Sequence, residues 1–161
     1  MRMPGVAIVA LIGLTSCSIF MRSIEKPRAE VRGVSVASAG ITGIEGELRL
    51  DVSNPNGVGV PLAGIDWQLA IGGARAVAGK VELQQTIPAK GVAPIATTLR
   101  VDARDAIAAA AALSRGQRDY VLRATLHFST AVGPLAIDVN HRGTLEGAGV
   151  PRLLGVNGGL R

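Results

Sequence analysis

At 161 residues, 48% of them apolar, the chain has the size of one domain with its own core, which leaves little room for a second. Aromatic residues make up only 2%, and 21 Gly and 8 Pro punctuate the sequence, so Val, Ile, Leu and Ala must build the core and short strands are favoured over long helices. The formal charge of +5 rests on scattered Lys and Arg with no basic run and almost no aromatic interleaving, which argues against a nucleic-acid-binding protein.

Residues 1–16 read as an export signal, with Arg2 as a short basic start and the apolar run Val6 to Leu14 as its hydrophobic region. That run is too short to span a bilayer. Leu14-Thr15-Ser16-Cys17 follows and resembles the bacterial lipobox: Leu three before the cysteine, small residues between, then the only Cys of the chain. The resemblance implies a lipoprotein, cut before Cys17, with that thiol diacylated and the new amino group acylated by a chain such as palmitate. The alternative is an ordinary cleaved signal with a leftover thiol, or a buried core cysteine. Each buried acyl CH₂ contributes about 0.8 kcal/mol, so two or three chains anchor stably where one does not. Ser18 stands where Asp would resemble an inner-membrane retention signal, so the expected address is the bacterial cell envelope, at the outer membrane facing the periplasm.

Residues 17–29 are expected to be the lipidated cysteine and a tether: the stretch has no clean periodicity and contains Glu25-Lys26-Pro27-Arg28. Ile19, Phe20 and Met21 are placed at the lipid interface. The folded domain is expected over 30–146. A first strand is predicted from Val31 to Ala37, with Val34 and Val36 inward, ended by Ser38-Ala39-Gly40. The clearest strand comes next: Ile44, Leu48, Leu50 and Val52 share one parity, Glu45, Glu47, Arg49, Asp51 and Ser53 the other. It must stop at Asn54-Pro55-Asn56-Gly57, because Pro55 lacks a ladder donor and Asn56-Gly57 accepts turn geometry. Leu62 to Ile71 alternates with Ile65, Trp67, Leu69 and Ile71 inward, and Gly72-Gly73 signals a hairpin.

Ala74 to Leu83 is a weaker strand in which Gly79 marks a bulge or a close approach, and Ile87-Pro88-Ala89-Lys90-Gly91 reads as a loop. Pro94 opens a strand from Ile95 to Val101 with Ile95, Thr97, Leu99 and Val101 inward. Asp102 to Leu113 is Ala-rich and predicts a helix capped by Asp102 or Asp105 and ended at Ser114-Arg115-Gly116. Its apolar face, mostly Ala with Ile107 and Leu113, is expected to close an open end of the domain. Tyr120 to Ser129 and Leu135 to Leu145 are the last strands, and the Gly-rich tail 147–161 is expected to be flexible. Seven strands at spacings near ten residues with one short helix predict an all-β antiparallel sandwich of immunoglobulin or fibronectin type III character.

Chemistry is sparse. His127 and His141 lie on different strands without Cys, Asp or Glu at metal-ligand spacing, so neither a metal site nor a cofactor site is expected. Glu45 and Glu47 share one strand face and read as surface charge. There is no Gly-x-Ser-x-Gly elbow, no phosphate loop and no His-Glu-x-x-His, and nothing supports an enzyme.

With the strands placed, Val52-Ser53-Asn54-Pro55-Asn56 resembles the Asn-Pro-Asn signature of the WHy (water stress and hypersensitive response) domain of the late embryogenesis abundant type 2 family. The downstream pieces are similar in order: the strand Trp67 to Gly72, then Ala78-Gly79, then Ile87-Pro88-Ala89-Lys90-Gly91, then Thr97-Thr98-Leu99-Arg100-Val101. Trp67 departs from the Tyr usual in the family, and Gly73-Ala74-Arg75 makes a short hairpin. Read from the residues alone, Asn54, Pro55 and Asn56 are a structural turn. The resemblance implies a non-enzymatic protein of stress and desiccation that protects others from aggregation. The expected partners are the membrane, through the lipid anchor, and client proteins. The alternatives are an adaptor or subunit that docks one envelope partner, and a carrier of an apolar ligand between the sheets.

Overall fold

The structure is a computed structural model that describes residues 24–40 and 42–146. The signal, the lipobox (Leu14, Thr15, Ser16), Cys17, the first part of the tether and the tail 147–161 lie outside the described residues. The elements run β1 (Arg28–Gly40), β2 (Gly43–Ser53), β3 (Val60–Ile71), β4 (Val77–Ile87), β5 (Val92–Asp102), α1 (Ala103–Ser114), β6 (Asp119–Thr130) and β7 (Gly133–Thr144). They form one sheet in the order β1-β2-β5 and a second in the order β4-β3-β6-β7, with antiparallel ladders throughout. This is the two-sheet sandwich that the period-2 patterns predict.

Each inner face is set by parity. On β2, Ile44, Leu48, Leu50 and Val52 are all buried, and fully burying such side chains contributes roughly 1.5–3 kcal/mol each. Across from them stand Ile65, Trp67, Leu69 and Ile71 of β3 and Leu122, Leu126 and Phe128 of β6. Gly72 and Gly73, at φ 56° and 73°, make the tight turn that leads from β3 toward β4. Gly79 is a close approach: a Cβ there would lie 2.5 Å from Trp67 Cζ2, so the indole lies where a β4 side chain would otherwise stand.

Several boundaries differ from the pattern-based reading. β1 starts at Arg28 and takes Arg28 and Ala29 from the expected tether. Its two register shifts, after Val31 and after Val36, break strict parity, so Val31 and Val34 are both buried while Val36 is only partly so. β4 runs from Val77 to Ile87, later at both ends than Ala74 to Leu83, because Ile87 is fully buried and pairs with Val60.

The helix α1 packs against strands of both sheets and closes one end of the sandwich. Asp102 is its extended N-cap without a side-chain cap bond, and Gly116 at φ 78° ends it. Gln117 N donates to Ala112 O at 3.1 Å and Gly116 N to Leu113 O at 2.9 Å, a Schellman arrangement that satisfies the last carbonyls. The buried face is Ala106, Ala109, Ala112 and Leu113. Ile107 is not part of it: it is 70% exposed, because the helix turns its smallest residues inward and thereby lies close across the strand ends.

The two long sides of the sandwich also differ. Beyond β7, Glu146 N donates to Val34 O at 3.1 Å and Val36 N to Glu146 O at 3.4 Å, which laces the second sheet to β1. On the other side β4 and β5 flank an open groove of about 540 Å³ lined by Lys80, Val81, Glu82, Leu83, Thr98 and Arg100 among others.

Candidate functional site

Where β2 stops, Asn54 turns its side chain into the protein and becomes 99% buried, a polar group that must be satisfied internally. Its Nδ2 faces three carbonyl oxygens, Val58 O at 2.8 Å, Pro88 O at 3.1 Å and Ile87 O at 3.2 Å, so its two N–H donors are shared among three acceptors. Its Oδ1 accepts from Asn56 N at 3.0 Å and Asn56 Nδ2 at 2.9 Å, while its backbone N–H donates to Gly91 O at 2.9 Å. One asparagine thus ties the β2–β3 loop to the β4–β5 loop.

Asn56 continues the network outward. Its Nδ2 donates to Glu25 O and its Oδ1 accepts from Glu25 N, both at 2.8 Å, so the side chain mimics a backbone partner for the incoming chain. Lys90, at φ 52°, donates from its backbone to Asn56 O at 2.9 Å and from Nζ to Pro55 O. Pro27 is buried immediately after the clamp. The second half of the expected tether is therefore fastened to the Asn-Pro-Asn turn, and only residues before Glu25 remain for one.

A second polar feature covers the outer face of the larger sheet. Asp66, Thr125 and Asp138 lie in one cross-strand row and Gln68, Arg123 and Asn140 in the next, around a shallow hollow of about 670 Å³. Thr125 Oγ1 donates to Asp138 Oδ1 at 2.7 Å, and His127 Nε2 lies 2.8 Å from Asp66 Oδ2. The sequence reading found His127 on the outward face but not Asp66 beside it, because 61 residues separate them and only the β3–β6 register brings them together. Both are about half exposed, so their ion pair, when His127 is charged, is worth at most about 1 kcal/mol. His141 is elsewhere, with its ring centroid 5.9 Å from that of Tyr120. No group of three potential metal ligands occurs among the described residues. Glu45 and Glu47 are held by ion pairs to Arg100 at 3.1 Å and Arg49 at 3.8 Å.

Between the sheets, a small void of about 20 Å³ is lined by Trp67, Leu99 and Ala109 among others. That is space for about one water, whereas small-molecule sites run to several hundred Å³. This void is too small for the apolar ligand of the carrier reading. Trp67 Nε1 is buried and finds no protein acceptor among the described residues. Beside β1, Tyr120 is 97% buried, and that burial, with the nearby Glu146 charge, raises its phenol above the ordinary tyrosine value despite an opposing backbone contact from Val34.

Comparison with known proteins matches this arrangement. The family described as "Late embryogenesis abundant protein" (LEA_2) matches residues 49–143, which is 95 of 161 positions and runs from β2 to the end of β7. The Arabidopsis thaliana protein AT1g01470, known from a solution structure, is 21% identical, covers 77% of this chain and 83% of its own, and superposes with a TM-score of 0.63. The protein At2g46140.1, also known from a solution structure, is likewise 21% identical, over 74% of this chain and 70% of its own, with a TM-score of 0.57. The structural-genomics target SoR45 is 12% identical over 80% of this chain and 89% of its own, at a TM-score of 0.52. At these identities the likenesses show the fold. No curated protein matches the chain.

Proposed function

The chain belongs to the late embryogenesis abundant type 2 family, and from that premise we propose that it is a lipid-anchored protein of the bacterial envelope that shields other proteins from aggregation under drying or heat. Membership places it among stress-related proteins of a generally non-enzymatic family. The observation that carries the protective reading is the family match itself, which covers residues 49–143, from within β2 into the end of β7. The lipobox resemblance at Leu14, Thr15, Ser16 and Cys17 carries the anchor, and Ser18 after it carries the outer-membrane, periplasm-facing address. Clients would meet the polar groove between β4 and β5, where Lys80, Glu82, Thr98 and Arg100 keep the free edges hydrated and oppose irreversible edge-to-edge pairing.

The test is to dry and rehydrate two unrelated enzymes with the acylated full-length protein at near-equimolar ratio and to follow light scattering and recovered activity. Suppression for both is the expected result. No suppression, combined with one dominant partner in cross-linked envelopes, overturns general protection and makes the protein an adaptor. Equal membrane recovery of Cys17→Ala overturns the lipid anchor.

A further inference from the structure

The described residues expose four large hydrophobic side chains: Val58 at 58%, Val92 at 59%, Ile107 at 70% and Val132 at 72%. Three of them converge. Val58 lies in the β2–β3 loop, Val92 opens β5 opposite Ser53, and Val132 lies in the β6–β7 turn. The register Leu62↔Phe128 places that turn at the same end as Val60, where β3 begins. This is also the end at which the chain arrives, with Glu25 clamped on Asn56. Lys26, Arg28 and Lys90 lie there beside Glu25, with Arg28 paired to Ser53 and Lys90 bound to the Asn56 loop, while the Glu30–Asp51 pair follows two residues further in. Ile107 is on α1, at the opposite end.

We infer that the Asn-Pro-Asn end of the sandwich is the membrane-facing end, with Val58, Val92 and Val132 meeting an anionic lipid surface and Lys26, Arg28 and Lys90 adding charge complementarity. The inference rests on the proposed anchor at Cys17. Seven residues, 18–24, separate Cys17 from the clamp. The eight steps from Cys17 to Glu25, at ~3.3–3.6 Å each, reach about 29 Å at most. The strands of the sandwich are 11–13 residues long, or about 36–43 Å at ~3.3 Å per residue. A domain whose Glu25 lies within about 29 Å of the bilayer cannot stand inverted with α1 against it. Reach therefore excludes the inverted pose, and the position of the valines and basic residues selects the upright one. Apolar tips flanked by Lys and Arg supply the second signal that acyl chains combine with at an interface.

The experiment uses the acylated full-length protein, whose Cys17 thiol is consumed by the lipid, carrying one new thiol-linked environment-sensitive dye at Val92→Cys, Val132→Cys or Ile107→Cys. Each is reconstituted into phosphatidylethanolamine–phosphatidylglycerol vesicles with and without a headgroup-borne quencher, and flotation is measured on the same samples. The expected result is a blue shift and severalfold stronger lipid quenching at positions 92 and 132 than at 107. Asn56→Ala, which frees the incoming chain, is expected to float equally while the contrast shrinks. Flotation with equal quenching at all three positions overturns the orientation and leaves the anchor intact. Shielding of 92 and 132 from aqueous iodide without lipid quenching assigns this end to a second copy of the chain and also overturns it. Retention of the full contrast in Asn56→Ala overturns the role of the Glu25 clamp, and a chain that does not float overturns anchor and orientation together.

Discussion

The two ends of the sandwich are closed by different physics. At one end α1 lays an alanine face across the strand ends of both sheets, with no side-chain cap bond at its start and a Schellman turn at its finish. At the other no helix or strand among the described residues lies across the opening. A network centred on one buried asparagine holds two loops and the incoming chain in place. Shape closes the first end and hydrogen bonds close the second, so the two should respond to different substitutions.

The largest effect is expected at the loop end. Asn54→Ala removes both donors and the acceptor of the network and strands buried carbonyls, each costing about 1–3 kcal/mol, so a total near 3 kcal/mol is expected as a lowered urea midpoint with unchanged m. Asn54→Asp should be nearly as damaging, because a carboxylate cannot donate to Val58 O and Pro88 O. At the helix end, Ala112→Leu forces extra volume into a fully buried contact and is expected to cost about 1–3 kcal/mol in the same titration. A loss at Ala112→Leu that exceeds the loss at Asn54→Ala would invert the comparison.

The next effect is a pH dependence near the β1–β7 seam. Burial raises the Tyr120 phenol above the ordinary tyrosine value of about 10, so the folded state keeps a proton that the unfolded chain releases. Stability from this group is therefore complete below about pH 10 and lost as pH rises through the raised folded value. Tyr120→Phe should flatten that alkaline decline, read as the melting temperature between neutral pH and pH 11. The smallest effect is at the helix surface: Ile107→Ser, at a side chain 70% exposed, should stay within about 0.5 kcal/mol of the parent.

Alternation made β2, β3, β5 and β6 readable because each has one wet and one dry face, and residue identity records that difference directly. Gly79 was readable as either a bulge or a close approach, and the Trp67 indole packed over it decides for the close approach. The helix was readable in extent but not in rotation. In an Ala-rich segment several faces are equally apolar, and Ile107, the larger side chain, was assigned inward when small residues fit better. The bulged β1 lost its parity signal at the two register shifts. The candidate site was legible only as a turn: Asn54, Pro55 and Asn56 announce a strand end, but their partners Ile87, Pro88 and Glu25 lie about 31–34 residues away.

By itself, then, the sequence determined the class of fold, the strand that anchors it and the turn that ends that strand, because these are written in local periodicity and short turn chemistry, while the order of its motifs carried the resemblance to the family. Tertiary structure alone decided that Asn56 clamps Glu25, that Asp66 meets His127, that Glu146 laces the second sheet to β1, and that three exposed valines share one end. Those are long-range pairings fixed by register and by which end of a strand each loop leaves, and no local pattern of residues encodes them.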